Sequence, residues 1–164
     1  TFNADKIVSQ IYKKEKKVFF KLKKKLPEFF LNFPIKKEEL IKAITKNEKN
    51  IKIISSTVHP VVKKYLKVFL KKNKSKKIVI LDIPLFFENK LNKKNDKVVY
   101  IDSKPSDIVK KLSLRKNFNK KILKKLKKLQ FSITYKKSKS NYVIKNNFNK
   151  ASAYKAVKIL LKGL

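Results

Sequence analysis

Short, unbroken apolar runs alternate along this chain with longer stretches in which apolar residues recur every three or four positions. Short runs predict strands, and the longer pattern predicts amphipathic helices. The run at 78–81, Ile-Val-Ile-Leu, predicts a strand buried on both faces of a parallel sheet, with Pro84 preventing further ladder bonding. Residues 98–101 and 142–144 predict two more strands, and residues 1–4 suit the tail of another.

The helical pattern predicts helices between these strands. They are expected over about 5–12, 18–26, 36–45, 58–69, 105–115, 122–133 and 153–161. The chain therefore reads as strand, long helical region, strand, helices, strand and helix. This order predicts an α/β fold with a parallel sheet and right-handed crossovers.

The pair His59-Pro60 interrupts one of the predicted helices. Pro60 either opens that helix at its first position or kinks a longer one. If Pro60 opens the helix, His59 lies at a helix N-terminus, where backbone N–H groups favour anions such as phosphate. The alternative is a histidine that caps or packs the helix.

Polar side chains follow the predicted strands. They are Asp5, Glu88, Asp102 and Asn146. Because the carboxyl ends of parallel strands meet at one edge of a sheet, where α/β proteins bind ligands, we expect a pocket there. For Glu88 alone, the other interpretation is a solvated side chain after a core strand.

Charge changes this picture only in part. The chain has 46 basic and 11 acidic residues, a net charge of +35, and Arg115 is the one arginine. Proteins that read nucleic-acid sequence usually contain several arginines. The lysine content therefore has two possible explanations: compositional drift in a low-GC genome, or selection for polyanion binding. Arg115 falls three residues after Leu112 on the inward face of its predicted helix, where it needs a partner.

Two absences in the sequence bound the chemistry. The chain has no cysteine, which excludes disulfides and thiolate chemistry and fits a reducing cytosol. No apolar run approaches the roughly 18 residues of a membrane span. We therefore expect a cytoplasmic protein without a membrane partner.

An ordered set of motifs resembles dephospho-coenzyme A kinase, a P-loop kinase family of coenzyme A biosynthesis. The motifs are NADKI at 3–7, His59-Pro60, LDIPLFFENKL at 81–91, DKVVYID at 96–102, LSLR at 112–115, Gln130 and YVIKNN at 142–147. The resemblance implies a three-layer P-loop-kinase-like parallel sheet with a helical acceptor-binding region and a helical lid. It implies one domain over 1–164, with a core at 1–12 and 77–164, an acceptor-binding insertion at about 13–75 and a lid at about 112–138.

The resemblance also implies an activity and site residues. Family members transfer the ATP γ-phosphate to the ribose 3′-hydroxyl of dephospho-coenzyme A, the final step towards coenzyme A. Asp5 matches the second carboxylate of the family's D-A-D motif and would be the catalytic base, whereas the first carboxylate is Asn3 here. The other implied roles are acceptor binding for His59, Leu85 and Glu88, and ATP binding for Arg115 and Asn146.

The chain departs from the family at its beginning. The family opens with a strand and a glycine-rich Walker A loop, whereas the sole glycine here is Gly163. The loop's lysine and its magnesium-binding hydroxyl are absent with it. We therefore expect that the first strand, this loop and much of the first helix are missing, that apolar sheet edges are exposed, and that the 164 residues alone have little or no kinase activity.

Cofactors and partners follow from the same resemblance. ATP and Mg²⁺ would serve the full-length parent, and the partners would be dephospho-coenzyme A and ATP. Two other functions stay open at this point: another P-loop nucleoside or nucleotide kinase, and a basic nucleic-acid-binding protein. Against the nucleic-acid-binding function, the sequence lacks the aromatic and glycine-rich motif of proteins that bind single strands, so nucleic-acid binding is expected to be absent or non-specific.

Overall fold

Two units make up the chain, Thr1–Leu85 and Phe86–Leu164, and the computed structural model describes residues 1–115 and 118–163. The first unit contains β1 (Phe2–Asn3), α1 (Ala4–Lys14), α2 (Lys16–Lys25), α3 (Lys37–Lys46), α4 (Lys49–Lys72) and β2 (Leu81–Asp82). The second contains β3 (Val99–Asp102), α5 (Pro105–Ser113), α6 (Lys120–Lys128), α7 (Ile133–Ser138), β4 (Tyr142–Lys145) and α8 (Lys150–Lys162).

Each unit holds a parallel pair of strands. In the first unit β1 pairs with β2, with Asn3 opposite Asp82. In the second unit β3 pairs with β4, from Val99 opposite Tyr142 to Asp102 opposite Lys145. The predicted α/β character and the parallel direction of the strands are confirmed.

The strand predicted at 78–81 differs from the observed one. The ladder covers only Leu81 and Asp82, because β1 offers them a partner of two residues. Ile78 and Ile80 are 50% and 54% exposed, so the prediction of burial on both faces is wrong for them. Burial on both faces requires covering layers on each side of a strand, and these two side chains lack that cover.

The first unit has a dense apolar core. Its most buried large side chains are Ile11, Val18, Leu22 and Phe30, which belong to one cluster with residues of α3 and α4. Val18 and Leu22 lie four residues apart on α2, so they share the face that packs inward. The helix ends at Lys25, and the following Leu26 donates its N–H to the Leu22 carbonyl before Pro27.

Helix α4 runs through Pro60 and decides between the two predicted arrangements of this region. The helix begins at Lys49, eleven residues before the proline, and ends at Lys72. Pro60 therefore lies inside a longer helix, and His59 does not lie at a helix N-terminus. The anion site that depended on that position is not formed.

The single long helix predicted over 122–133 is two helices, α6 and α7. The first ends at Lys128, and Ser132 caps the second by accepting a hydrogen bond from the N–H of Tyr135 at 3.1 Å. Leu129 and Ile133 keep the helical spacing across this break. The periodic apolar residues therefore predicted one continuous helix, whereas the capping hydrogen bond of Ser132 favours the start of a second helix.

Tyr12 supplies a test of the core through pH. Burial raises the pKa of Tyr12 to about 12, whereas an unfolded tyrosine titrates near 10. Between about pH 10 and 12 the unfolded chain loses a proton that the folded chain keeps, so the free energy of unfolding falls as pH rises. We expect Tyr12→Phe to remove this component, seen as a smaller slope of unfolding free energy against pH in urea titrations.

Comparing Tyr12→Phe with the unchanged protein also controls for the titration of lysine. Both proteins contain the same lysines, which lose charge over the same pH range, so only the difference between them reports on Tyr12. Parallel slopes above pH 10 would contradict the assignment. Absorbance at 295 nm should show the same group as the last tyrosine to ionise.

Candidate functional site

Asp5 follows the end of β1 directly, as the sequence predicts. The strand ends at Asn3, α1 begins at Ala4, and Asp5 lies exposed in the first helical turn. A carboxylate in a first turn is favoured by the unpaired N–H groups and the dipole of the helix. The fold therefore holds this side chain at the carboxyl edge of the β1–β2 pair.

Asn3 joins the two strands of the first unit beside Asp5. Its Nδ2 donates to Oδ2 of Asp82 at 2.7 Å, and its Oδ1 accepts from the N–H of Lys6 at 2.8 Å as the cap of α1. An aspartate at position 3 has no donor and would face the Asp82 carboxylate. The amide therefore suits this neighbourhood better than the carboxylate of the D-A-D pattern would.

His59 lies half-buried in the middle of α4. Burial, and after it the charge of Lys63 one turn along, lower the pKa of His59 below its usual range. The imidazole is therefore mainly neutral near pH 7 and offers one donor and one acceptor.

A cavity of about 430 Å³ lies in the first unit beside α2 and α4. Its walls include Val18, Pro60 and Tyr65, and the Tyr65 hydroxyl donates to Oε1 of Glu15 at 2.8 Å. None of the predicted site residues lines it. Lysine supplies four of its twelve lining residues, little more than its share of the chain, so charge does not mark this cavity as an anion site.

Leu85 lies half-buried in the turn after β2, at the end of the unit.

Glu88 is held by α7 and the residues just before it. Its Oε1 accepts from the N–H of Phe131 at 2.8 Å and pairs with Nζ of Lys136 at 2.8 Å, and both charged side chains are only 10% exposed. Burial raises the pKa of Glu88, but hydrogen bonds from Lys136 and the backbone, with the Lys136 charge, outweigh burial and lower it. The solvated glutamate considered from sequence is therefore excluded.

Lys136 is the residue that sequence reasoning missed. It is the one charged residue among the buried residues that the structure describes, and its Nζ also donates to Oε1 of Gln130 at 2.9 Å. Nothing in composition separates it from the many surface lysines. The sequence offers no signal for it, because its burial depends on contacts with Glu88 and Gln130 that only the fold brings about.

The polar residues after β3 and β4 hold each other and their own loops. Asp102 is the last residue of β3, and its Oδ2 pairs with Nζ of Lys137 at 2.7 Å. Its carbonyl accepts from the N–H of Asn146 at 2.7 Å. The Asn146 side chain in turn accepts from the N–H of Phe148, a residue with φ of 61°. Asn146 therefore stabilises a left-handed turn before α8.

Arg115 does not lie on the inward face of α5. The helix ends at Ser113 with Leu114 as its cap, and Arg115 is exposed beyond it. The prediction extended the helical period two residues past the true end, which is why it placed the guanidinium inward. An exposed position leaves the implied contact with ATP phosphates open, and it stays a prediction.

The six predicted site residues fall in both units. Asp5, His59 and Leu85 belong to the first, and Glu88, Arg115 and Asn146 to the second. Their gathering at one sheet edge stays a prediction. Within the described ranges, no three His, Asp, Glu or Cys side chains form a metal-binding group. No helix of the described residues is long and apolar enough to cross a bilayer.

Comparison with known proteins identifies the family. A sequence model of the dephospho-CoA kinase family matches residues 1–152. The dephospho-CoA kinase of Wolbachia pipientis wMel is 29% identical over 165 aligned residues, covering 99% of this chain and 84% of the relative.

Two solved structures resemble the fold. Dephospho-CoA kinase from Campylobacter jejuni matches with a TM-score of 0.56 and 25% identity, covering 98% of this chain and 84% of that one. TT1252 from Thermus thermophilus matches with a TM-score of 0.71 at 17% identity, covering 99% and 83%, which bears on the fold alone. Motifs, α/β fold and family match agree, and the chain belongs to the dephospho-CoA kinase family.

Proposed function

We propose that this chain serves the ATP-dependent phosphorylation of the ribose 3′-hydroxyl of dephospho-CoA, which yields CoA. The observation that carries the proposal is the family match over residues 1–152, because this range includes every predicted site residue. Parallel strands with polar groups at their carboxyl ends are also the framework on which α/β proteins build ligand sites.

Asp5 would act as the catalytic base. Phosphoryl transfer involves little covalent chemistry by the protein, so the carboxylate's task is to orient the attacking hydroxyl and accept its proton. The exposed position of Asp5 in the first turn of α1 leaves it open to a substrate. Asn3 supports that turn by capping it and by anchoring it to Asp82.

Three side chains would contact the acceptor. The neutral imidazole of His59 can donate to a phosphate or pair with a ribose hydroxyl, because it carries one donor and one acceptor. Leu85 would offer an apolar contact. Glu88, which is kept charged by its neighbours, would accept a hydrogen bond from a donor group of the acceptor substrate.

The ATP side would involve Arg115 and Asn146. The guanidinium is always charged and matches phosphate with paired donors, and Arg115 is exposed just past α5. Asn146 would lie near the adenine in the turn before α8. Mg²⁺ usually reaches such sites with the substrate phosphates and binds one or two carboxylates, so a three-residue cage is not required. Location in the cytoplasm stays a prediction.

We expect the 164 residues alone to bind dephospho-CoA but to transfer little or no phosphate. Their one glycine, Gly163, caps α8, so no stretch of this sequence can form a glycine-rich phosphate loop. Calorimetric binding and transfer of labelled γ-phosphate would be measured on the same preparation. A form carrying the family's loop before Thr1 is the active control.

Two outcomes would contradict the proposal. Phosphate transfer by the 164 residues at the rate of the loop-bearing form would show that the loop is not needed. Binding of other nucleosides in preference to dephospho-CoA would favour a P-loop kinase with a different acceptor.

A further inference from the structure

Two consecutive lysines of α7 hold two carboxylates in different surroundings. Lys136 pairs with Glu88 at 2.8 Å, and both side chains are 10% exposed. Lys137 pairs with Asp102 at 2.7 Å, with side chains 38% and 26% exposed. The two pairs have similar lengths and the same helix, so they differ mainly in burial.

Burial makes the first pair costly to form and costly to break. Removing two charges from water consumes much of their attraction, and removing one partner leaves the other buried and unpaired. The donors around Glu88 converge on one oxygen: Oε1 receives both Lys136 and the N–H of Phe131. Its Oε2 is buried without a hydrogen-bond partner among the described residues.

The shell around this pair is otherwise neutral. Gln130 accepts from Lys136 at 2.9 Å, and rings of Phe87, Phe131 and Tyr135 form edge contacts between the loop that carries Glu88 and α7. Lys136 is the charged group that faces Glu88 from α7, and the flanking polar groups are Gln130 and backbone N–H groups. Within residues 1–115 and 118–163, Lys136 is therefore the one charged group that stabilises the carboxylate of Glu88, alongside hydrogen bonds from the backbone.

We propose that Lys136 is a positioning residue for acceptor binding, because it holds the Glu88 carboxylate charged and in a single orientation. The inference rests on the proposed role of Glu88 towards the acceptor. Lys136 acts through Glu88 and need not touch the substrate. Lys137 has no such role, since its pair with Asp102 is partly solvated and exposed pairs contribute little.

The test measures two quantities on the 164-residue chain. The first is the dissociation constant for dephospho-CoA by calorimetry, and the second is the pKa of Glu88 from carbon-13 NMR titration of its carboxyl group. Lys136→Met is expected to weaken binding about tenfold, by analogy with the loss of a residue that orients a metal-binding side chain. It should also raise the pKa of Glu88, because burial is then opposed only by the backbone hydrogen bonds. Lys137→Met is the matched control and should change neither quantity.

Glu88→Gln and the double variant Glu88→Gln/Lys136→Met separate the possible failures. If Glu88→Gln leaves dephospho-CoA affinity unchanged, the acceptor role of Glu88 is wrong and the inference falls with it. If Glu88→Gln weakens binding and Lys136→Met does not, only the positioning role is wrong. We expect the double variant to bind as weakly as Glu88→Gln alone, because Lys136 acts through Glu88. Should Lys136→Met fail to fold, a double variant that folds and binds more weakly than Glu88→Gln would overturn the inference.

Discussion

Asp5→Asn is expected to lower the rate constant of phosphate transfer by about 10²–10⁴-fold, the usual contribution of general-base catalysis. The amide preserves size but cannot accept the proton of the attacking hydroxyl. The measurement is the single-turnover transfer rate in a form of the enzyme that carries the family's glycine-rich loop. Affinity for dephospho-CoA should change much less than the rate, because the proton is transferred only during reaction.

Asp107→Asn is the matched control for this substitution. Asp107 also lies in the first turn of a helix, α5, so it shares the local electrostatic setting of Asp5. It should leave the transfer rate unchanged. Equal losses in both variants would show that the loss does not depend on the position of Asp5, which would contradict its role as the base.

Leu22→Ala is expected to reduce the free energy of unfolding of the first unit by about 2–5 kcal/mol. Leu22 is fully buried among the side chains of the main apolar cluster, so truncation leaves a cavity as well as losing apolar contact. Domains are commonly stable by only about 5–15 kcal/mol, which makes this a large share. Urea unfolding followed by far-ultraviolet circular dichroism measures it.

Leu31→Ala provides the comparison within the same unit. Its side chain is 58% exposed, so the same truncation should change stability by no more than about 0.5 kcal/mol. Equal destabilisation of the two variants would contradict the burial of Leu22 in the apolar core.

Elements with a strong local cause were predictable from sequence. Residues 98–101 and 142–144 were assigned to strands within one residue of β3 and β4, because β-branched runs between polar segments suit paired extended chain. Pro105 opens α5 and Gly163 caps α8, which agrees with the preferences of these residues at helix ends. Each of these predictions needed only neighbouring residues.

The errors arose where distant partners or local caps outweigh periodicity. Ile78 and Ile80 were predicted to be buried because they belong to an apolar run. Burial, however, depends on covering layers that the local sequence does not specify. Arg115 was placed inward by extending the period past Ser113. Lys136 carries no mark in the sequence, since its burial arises from Glu88, which lies 48 residues away.

The adjacent lysines of α7 also determine how this short helix can turn. Neighbouring side chains on a helix diverge by about 100° around its axis, yet Lys136 and Lys137 are each anchored, one to Glu88 and one to Asp102. Rotating the helix about its axis would displace both ammonium groups from their carboxylates at once. The helix thus has one favoured orientation about its axis, set chiefly by the buried pair, and this orientation also fixes the direction of the Tyr135 side chain.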